Sequence, residues 1–501
     1  MSRIKKEFKI KASKCNDNIK SLDLLFKPRN VVIFEAKQKV AYFIEGLKSQ
    51  GFSLENLYLI SPSKEEVSGI KCYISFDDIP IDTIDLLILS VKRELVVQSL
   101  KEIFAKKKVK FIHFFTAGMG ESDEEGLKIE NQIREILENP EINTRAIGPN
   151  CFGLYCPSGK NAYMPFFPTK SGNIALISHS GDMHSRTVGY GALIYNLRFS
   201  KGASIGNCVS LQVSDFLEYF NQDDETDIIF IYFEGFSRYG KKEGRKIFNL
   251  LKEMRKPVLI LRGGKTKRGQ SAVLTHTGSL GTDEKIWDAV YKQTPLIEVG
   301  SSIEEIIDHL YLFNDFYKKN RNLALEEQIS KFPKGKNALV IIWSGGIGIV
   351  DTDVLTELGF NLPLFDGKVK EKLMNIYQVK IGSLSNPLDL PWVSRSKKYL
   401  ELCKAAISEN IDMVIMHTDA RFGRSYKKRI KNLAKIKEYI ESLNKMLILI
   451  LPETPEKNRI RYFRALIENG FVVFPELKRA GKAYLSLYNY GKKIRRMENK
   501  I

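Results

Sequence analysis

The chain has 501 residues, 43% of them hydrophobic and 27% charged, which are ordinary globular values that exclude a disordered or fibrous protein. No apolar run approaches the roughly 20 residues that cross a bilayer, and the basic N-terminus has no apolar segment typical of a secretory signal. The net charge of +19 is spread along the chain without a nucleic-acid-binding motif, so we expect a cytoplasmic protein that binds neither nucleic acid nor membrane.

Short apolar runs rich in β-branched residues alternate with helical segments in three successive cycles. The predicted strands are 30–34, 57–60, 86–90, 109–115, 173–177, 228–233, 257–262, 338–343, 413–417 and 446–451. The clearest predicted helices are 39–49, 94–106, 183–190 and 350–358. Strands of this length separated by helices are typical of βαβ units. We therefore predict an α/β protein with three parallel-sheet domains in series.

The restarts of this rhythm predict the domain boundaries. The first domain covers 21–150, after an N-terminal tail of residues 1–20, and the second covers 151–315. Residues 316–336 are charged and lack apolar periodicity, which predicts a linker before a third domain at 337–501.

Two predicted strands end in a glycine-bearing turn that leads into a helix. These turns are Ser178-His179-Ser180-Gly181 and Trp343-Ser344-Gly345-Gly346-Ile347-Gly348. The free N–H groups at such a helix start attract anions. Each turn alone is also compatible with an ordinary tight connection.

A third segment, 275–281, reads THTGSLG and combines small, hydroxyl and glycine residues around His276. Such a loop can surround a phosphate with backbone N–H groups, and an accessible neutral imidazole is a candidate nucleophile. Glu234 ends the strand 228–233, where its carboxylate either orients an imidazole or forms an ordinary salt bridge.

The six cysteines and six histidines show no zinc-binding spacing. We therefore predict neither a disulfide framework nor a metal site.

Motifs along nearly the whole chain resemble a known enzyme family in their order and spacing. They are Leu25-Phe26-Lys27-Pro28-Arg29, Ser61-Pro62-Ser63-Lys64, Thr116-Ala117-Gly118-Met119-Gly120-Glu121, Gly148-Pro149-Asn150-Cys151, SHSG at 178–181, THTGSLG at 275–281, Ser344-Gly345-Gly346 and Asn386-Pro387-Leu388-Asp389-Leu390. Together they resemble the NDP-forming acyl-CoA synthetases, specifically the α subunit of the ADP-forming acetyl-CoA synthetase type, in the succinyl-CoA synthetase superfamily.

The resemblance implies a Rossmann-like CoA-binding domain followed by two flavodoxin-like domains of the succinyl-CoA synthetase type. It also implies the reversible reaction acid + CoA + ATP ⇌ acyl-CoA + ADP + phosphate. In this reaction His276 carries the phosphoryl group, and Glu234 stabilises the phosphohistidine.

Further site residues follow from the same resemblance. Phosphate binding is implied for Ser180, Gly181, Thr277, Gly278, Ser344, Gly345 and Gly346. CoA binding is implied for Lys37, Lys39, Pro62, Asn150 and Cys151, with the last two near the thiol end, although Cys151 is also compatible with a small buried residue.

The resemblance also implies a partner. Family members bind ATP in an ATP-grasp domain, for which this sequence shows no counterpart, so a separate β subunit is expected to supply ATP, ADP and Mg. The predicted assembly is a hetero-oligomer that acts on a small carboxylic acid and CoA.

Three positions depart from the family pattern. The glycine-rich first turn is replaced by Ile33-Phe34-Glu35-Ala36-Lys37-Gln38-Lys39-Val40-Ala41, SQSGA becomes SHSGD, and Pro391-Trp392-Val393-Ser394 replaces glycines after the NPLDL motif. These changes leave two hypotheses: a working α subunit, or a catalytically weakened paralogue that serves as a CoA-binding or regulatory subunit.

Overall fold

The computed structural model describes residues 22–35, 41–277, 283–378, 381–391, 398–419, 426–454 and 458–499, with only the backbone for 274–277. The chain divides into two compact units, Met1–Ile303 and Glu304–Ile501. Within the described residues, the first unit holds two seven-stranded sheets and the second holds one six-stranded sheet.

The first sheet is mostly parallel, in the order β3-β4-β2-β1-β5-β6-β7. Its strands are β1 (Val31–Phe34), β2 (Leu57–Ile60), β3 (Glu66–Val67), β4 (Ile70–Tyr73), β5 (Thr83–Leu89), β6 (Lys108–Phe114) and β7 (Arg145–Ile147). Only β3 pairs antiparallel to its neighbour among these described strands. The central strands are almost continuously apolar because helices cover both faces of a parallel sheet.

The second sheet has the order β14-β13-β12-β10-β11-β8-β9. Its strands are β8 (Leu154–Cys156), β9 (Asn161–Ala162), β10 (Ile174–Ser178), β11 (Phe199–Ser204), β12 (Ile228–Phe233), β13 (Val258–Arg262) and β14 (Ile297–Glu298). Strand β8 runs antiparallel to β11, and the strands from β11 to β14 are parallel.

The second unit contains the third sheet, in the order β16-β17-β15-β18-β19-β20. Its strands are β15 (Ala338–Ile342), β16 (Ser383–Leu384), β17 (Leu388–Asp389), β18 (Met413–His417), β19 (Met446–Ile450) and β20 (Val472–Phe474). Strand β16 is antiparallel to β17, and the other described pairs are parallel.

The helices connect successive strands. In the first unit they are Ala41–Ser49, Val96–Lys106, Glu124–Glu138, Gly181–Tyr195, Val213–Gln222, Glu243–Glu253, Lys267–Thr277 and Glu284–Gln293. Helix Ile303–Asn320 begins at the boundary, and Leu325–Lys331, Gly345–Glu357, Gly367–Ile376, Lys398–Ala406, Tyr426–Ser442, Arg459–Glu468 and Leu477–Glu498 follow in the second unit. Short 3₁₀ turns lie at Leu54–Asn56, Arg93–Leu95 and Pro157–Gly159. No described helix has both the length and the apolar character needed to cross a membrane.

The predicted fold class is confirmed: three α/β parallel sheets follow one another along the chain. The segment predicted as a linker, 316–336, is more ordered than a linker requires. Parts of it are helical, and the ring of Phe316 stacks on that of Phe332 with centroids 4.1 Å apart. Phe316, Tyr317 and Phe332 in this segment are buried among charged residues. The segment therefore packs although its sequence shows no strong apolar periodicity.

One buried cation stabilises the second sheet. The Lys201 side chain on β11 is fully buried, and its ammonium lies 2.8 Å from carboxylate oxygens of both Asp223 and Glu225. Glu225 also accepts a hydrogen bond from Lys27 at 2.9 Å, which connects the N-terminal segment to this sheet. Removing one partner of a buried ion pair leaves an uncompensated charge, which costs far more than breaking a surface pair.

We therefore predict that Lys201→Met lowers the unfolding midpoint strongly, by a free energy of about 3–5 kcal/mol. The matched control is Lys128→Met, because Lys128 is 71% exposed and its ion-pair partner among the described residues is Glu125, in the preceding helical turn. That control should cost less than about 1 kcal/mol. Urea unfolding followed by circular dichroism measures both variants, and equal midpoints would contradict this account of Lys201.

Candidate functional site

A cavity of about 580 Å³ lies where strands of the first two sheets end. Its lining includes Ser90 after β5, Phe115 after β6, Asn150 after β7 and His179 after β10. Ligands of open α/β sheets bind outside the carboxyl ends of the strands. This cavity is therefore the candidate site of the first unit.

The first turn of helix Gly181–Tyr195 forms one wall of the cavity. Ser180 is its N-cap, and the Ser180 hydroxyl accepts a hydrogen bond from the Met183 N–H at 3.3 Å. A Cβ on Gly181 would lie 2.5 Å from the ring of Phe152, so only glycine fits there. The structure thus places Ser180 and Gly181, both predicted phosphate-binding residues, at a helix start that opens on the cavity.

Asn150 and Cys151 line the same cavity, on the side of the first sheet. Asn150 has a left-handed backbone (φ 59°), and its N–H donates to the Thr116 carbonyl at 2.9 Å. The Cys151 thiol is buried and lies 3.6 Å from the Phe114 carbonyl oxygen, and burial raises its pKa. A thiol in that state is not a nucleophile at neutral pH, which favours the structural interpretation of Cys151.

An asparagine bridge holds the loop 116–121 beside this cavity. The Asn207 side-chain amide donates to Glu121 at 2.6 Å and to Glu130 at 2.8 Å. Glu121 in turn accepts from the Gly118 N–H at 2.7 Å. Burial raises the pKa of Glu130, and the neighbouring Glu121 charge adds to that effect, while its hydrogen bonds oppose it.

Glu234 lies at the end of β12 and is buried. It lines a small second cavity with Arg262, Gly263, Gln270, Val273 and Trp287. The pKa of Tyr232 is raised by burial, then by the Glu234 charge and the hydrogen bond between the two side chains. Because Gln270 and Val273 belong to helix Lys267–Thr277, the structure places Glu234 against the helix that contains His276.

The first three residues of the predicted loop 275–281 are helical, because helix Lys267–Thr277 extends to Thr277, and the rest of that loop lies outside the described residues. Ala272 and Leu274 precede His276 and favour helix continuation. His276 and Thr277 therefore lie on the last helical turn, with their side chains outside the described residues, as is the whole of Gly278.

Arg262 was not predicted and lies at the end of β13, beside Glu234. Its guanidinium is 5% exposed, forms salt bridges to Glu284 and Glu298, and stacks over Trp287 at 4.8 Å. In the sequence, Arg262 is recognisable as a charged residue at the end of an otherwise apolar strand.

The first βα turn, where the family pattern has glycines, presents carbonyl groups. The Ser90 hydroxyl donates to the carbonyl oxygens of Phe34 and Glu35 at 3.0 and 3.1 Å. The Phe34 ring packs edge-on against Phe76, with centroids 4.9 Å apart. The predicted CoA ligands Lys37 and Lys39 lie outside the described residues.

Pro62 is exposed on the turn after β2 and is not among the residues that line the cavity.

Lys92 and Arg93 line the cavity and were not predicted. Arg93 donates hydrogen bonds to the Gly118 carbonyl oxygen and to the Asp123 carboxylate, both at 2.8 Å. Lys92 has no salt bridge to any described residue and is the cavity's available cation.

The second unit contains the other predicted phosphate-binding turn. Ser344 is the N-cap of helix Gly345–Glu357, and Gly345 and Gly346 are exposed at its start. The Asp389 carboxylate, from β17, would lie 3.4 Å from a Cβ on Gly345. Burial raises the pKa of Asp389. The turn thus combines open N–H groups with one buried carboxyl group.

Family profiles match both halves of the first unit. Residues 19–157 match the family described as CoA binding domain, and residues 171–313 match the succinyl-CoA ligase like flavodoxin domain.

Similar proteins cover nearly the whole chain. The ADP-forming acetate–CoA ligase I subunit alpha of Pyrococcus furiosus is 31% identical over 490 residues, which are 94% of this chain and 98% of the relative. The ADP-forming acetate–CoA ligase of Methanocaldococcus jannaschii is 34% identical over 72% of this chain, which spans only 48% of that longer protein.

A solved structure supports the same fold. The dinucleotide forming acetyl-coenzyme A synthetase 1 of Ca. Korarchaeum cryptofilum, in complex with phosphate and ADP, aligns with a TM-score of 0.76. It is 24% identical, and the alignment covers 96% of this chain and 99% of that one.

We predict that the Cys151 thiol takes no part in chemistry. In the native protein it should resist alkylation by iodoacetamide at pH 8, because its pKa is raised and its sulfur is buried. Cys151→Ala should keep acyl-CoA formation within about threefold of wild type. Peptide mapping by mass spectrometry, with urea-unfolded protein as the reactive control, gives the first readout. Rapid alkylation of native protein would contradict the prediction.

Proposed function

Because the chain belongs to the family of ADP-forming acetate–CoA ligase α subunits, we propose that it catalyses the acyl-transfer half of an acid–CoA ligase reaction. The proposed overall reaction is acid + CoA + ATP ⇌ acyl-CoA + ADP + phosphate. The observation that supports it most is the cavity where Asn150, from the CoA-binding half, faces the helix start at Ser180 and Gly181.

The proposed chemistry uses a carried phosphoryl group. ATP transfers its γ-phosphoryl group to an imidazole nitrogen of His276, and ADP leaves. A carboxylate oxygen of the acid then attacks phosphorus, which breaks the N–P bond and gives an acyl phosphate. The CoA sulfur, after losing its proton, attacks the acyl carbon, and inorganic phosphate leaves with the C–O bond electrons. Phosphorylation thus converts the carboxylate, a poor electrophile, into an acyl phosphate, which is a good one.

Glu234 acts in this proposal as the group that accepts a hydrogen bond from the His276 ring. Two observations support the role: the carboxylate is buried, and it faces residues one turn before His276 on the same helix. A buried negative charge favours the N–H form of the imidazole nitrogen that does not carry phosphate.

Helix starts stabilise the phosphoryl group in the proposed scheme. The start at Ser180 and Gly181 opens on the cavity, while Ser344, Gly345 and Gly346 present a second start in the other unit. Thr277 and Gly278 are proposed to add backbone donors beside His276. A helix start contributes about 0.3–2 kcal/mol to the binding of an anion beside it.

The thiol end of CoA is proposed to enter the cavity past Asn150 and Lys92. Lys37, Lys39 and Pro62 stay as proposed contacts for the rest of the molecule. Since the first turn lacks the glycines of the family pattern, we propose that lysine side chains bind the CoA phosphates.

The proposed partner is an ATP-grasp β subunit that binds ATP, ADP and Mg in a hetero-oligomer. Two relatives from Pyrococcus furiosus are named as α subunits, which supports a partner chain.

The altered first turn favours the second hypothesis, a CoA-binding regulatory subunit without turnover. The next experiment distinguishes this hypothesis from a working enzyme subunit.

We predict that labelled inorganic phosphate is incorporated into this chain in the presence of the β subunit and a suitable acyl-CoA. The label should be acid-labile and base-stable, as expected for phosphohistidine, and His276→Ala should abolish it. A panel of acyl-CoAs then identifies the preferred acid.

The control is the same β subunit with an α subunit of known activity. If that pair is labelled and this chain is labelled by none of the acyl-CoAs, the enzyme proposal is wrong and the regulatory hypothesis replaces it.

We predict that Glu234→Gln lowers the rate of His276 labelling about 10²-fold, because the amide keeps the shape but removes the charge. The matched control Glu253→Gln, at an exposed helix end, should leave the rate unchanged. Rapid-quench labelling measures both variants. A rate for Glu234→Gln equal to that of the control would exclude the proposed role.

A further inference from the structure

His179 occupies a position that the mechanism above does not use. It follows β10 directly, is 4% exposed, and lines the 580 Å³ cavity beside Ser180 and Gly181. Its ring packs against Phe233 with centroids 5.3 Å apart. A nearly buried polar ring is thus fixed at the edge of a cavity and at a helix start.

A backbone hydrogen bond fixes the tautomer of this ring. The Glu234 N–H donates to Nδ1 of His179 at 3.2 Å. Burial lowers the pKa of His179, and the Glu234 charge and the Tyr232 carbonyl oppose this shift without cancelling it. The imidazole is therefore neutral at pH 7, and its proton is on Nε2.

Among the described residues, the hydrogen-bond geometry gives the His179 ring a partner at Nδ1, the Glu234 N–H, and no acceptor, side chain or backbone, for the Nε2–H. A buried donor of this kind costs free energy unless a ligand or water accepts from it. The ring lines the cavity together with Ser180, Gly181 and Asp182 at the helix start.

The helix start itself needs an additional donor because of Asp182. This carboxylate lies in the first turn and lines the cavity, and it pairs with Arg186 at 2.7 Å. Negative charge in the first turn reduces the attraction of the helix start for a second anion. A neutral hydrogen-bond donor at the end of β10 offsets this loss of attraction for an anion without adding a charge.

We propose that His179 is a substrate-positioning residue whose Nε2–H donates a hydrogen bond to an anionic oxygen of the phosphate or acyl phosphate at the start of helix Gly181–Tyr195. The hydrogen bond from the Glu234 N–H holds the His179 ring in this orientation, so the orientation of His179 depends on the Glu234 backbone. This inference rests on the proposed acyl-transfer function and specifies how that site binds its anion.

The test compares His179→Leu, which removes the donor at similar size, with His179→Gln, which keeps an amide donor. In the complete chain with its β subunit, the leucine variant should raise the KM for phosphate about tenfold to a hundredfold and leave the KM for CoA unchanged. The glutamine variant should stay within about threefold of wild type. Equal behaviour of the two variants, or parallel changes in both KM values, would overturn the proposal.

The matched control is His309→Leu, which removes another buried imidazole, from helix Ile303–Asn320 of the second unit. It should leave both KM values unchanged. Melting temperatures of all variants identify any loss of folding.

A binding measurement separates this inference from the proposed function. Titration calorimetry with inorganic phosphate and the isolated chain needs no turnover. Weaker phosphate binding in the leucine variant and near-normal binding in the glutamine variant support His179 even if wild type forms no phosphohistidine. Unchanged binding in the leucine variant rejects His179 even if wild type is fully active.

Discussion

The convergence of the ends of β5, β6, β7 and β10 on one cavity is the constraint on which the candidate site depends. Each strand ends at the same cavity, where Ser90, Phe115, Asn150 and His179 follow them. Residues almost 90 positions apart in the sequence therefore share one space of about 580 Å³. The strands supply the rigid frame, and the turns after them supply the chemistry.

The high net charge of the chain adds little to anion binding, because carboxylates already pair with several cations of this unit. Arg262 is held by Glu284 and Glu298, Lys201 by Asp223 and Glu225, and Arg93 by Asp123. These cations are committed to the fold. Anion binding is left to backbone N–H groups, to Lys92 and, in our inference, to the neutral donor of His179. Such fixed dipoles need no reorganisation when charge moves from one oxygen to another.

The sequence predicted the central strands well because parallel strands buried on both faces are continuously apolar, as in Ile228–Phe233. It missed Phe199–Ser204, which reads FSKGAS, because tertiary partners neutralise its polar residues: Lys201 has its two carboxylates, and the Ser200 hydroxyl contacts that of Thr226 at 2.7 Å. The helix starts at Ser180 and Ser344 were predictable from local turn chemistry. The tautomer of His179 was not, because it depends on the Glu234 backbone 55 positions away.

The most direct test of this account locates the acyl end of the substrate. An acyl-CoA analogue with a photoreactive diazirine on its acyl group is crosslinked to the α and β complex and mapped by mass spectrometry. The labelled peptides should contain residues 90–94, 115–117, 150–152 or 179–182, which line the cavity. Protection by excess unlabelled acyl-CoA should remove that label. Crosslinks confined to other parts of the chain would contradict the assignment of this cavity.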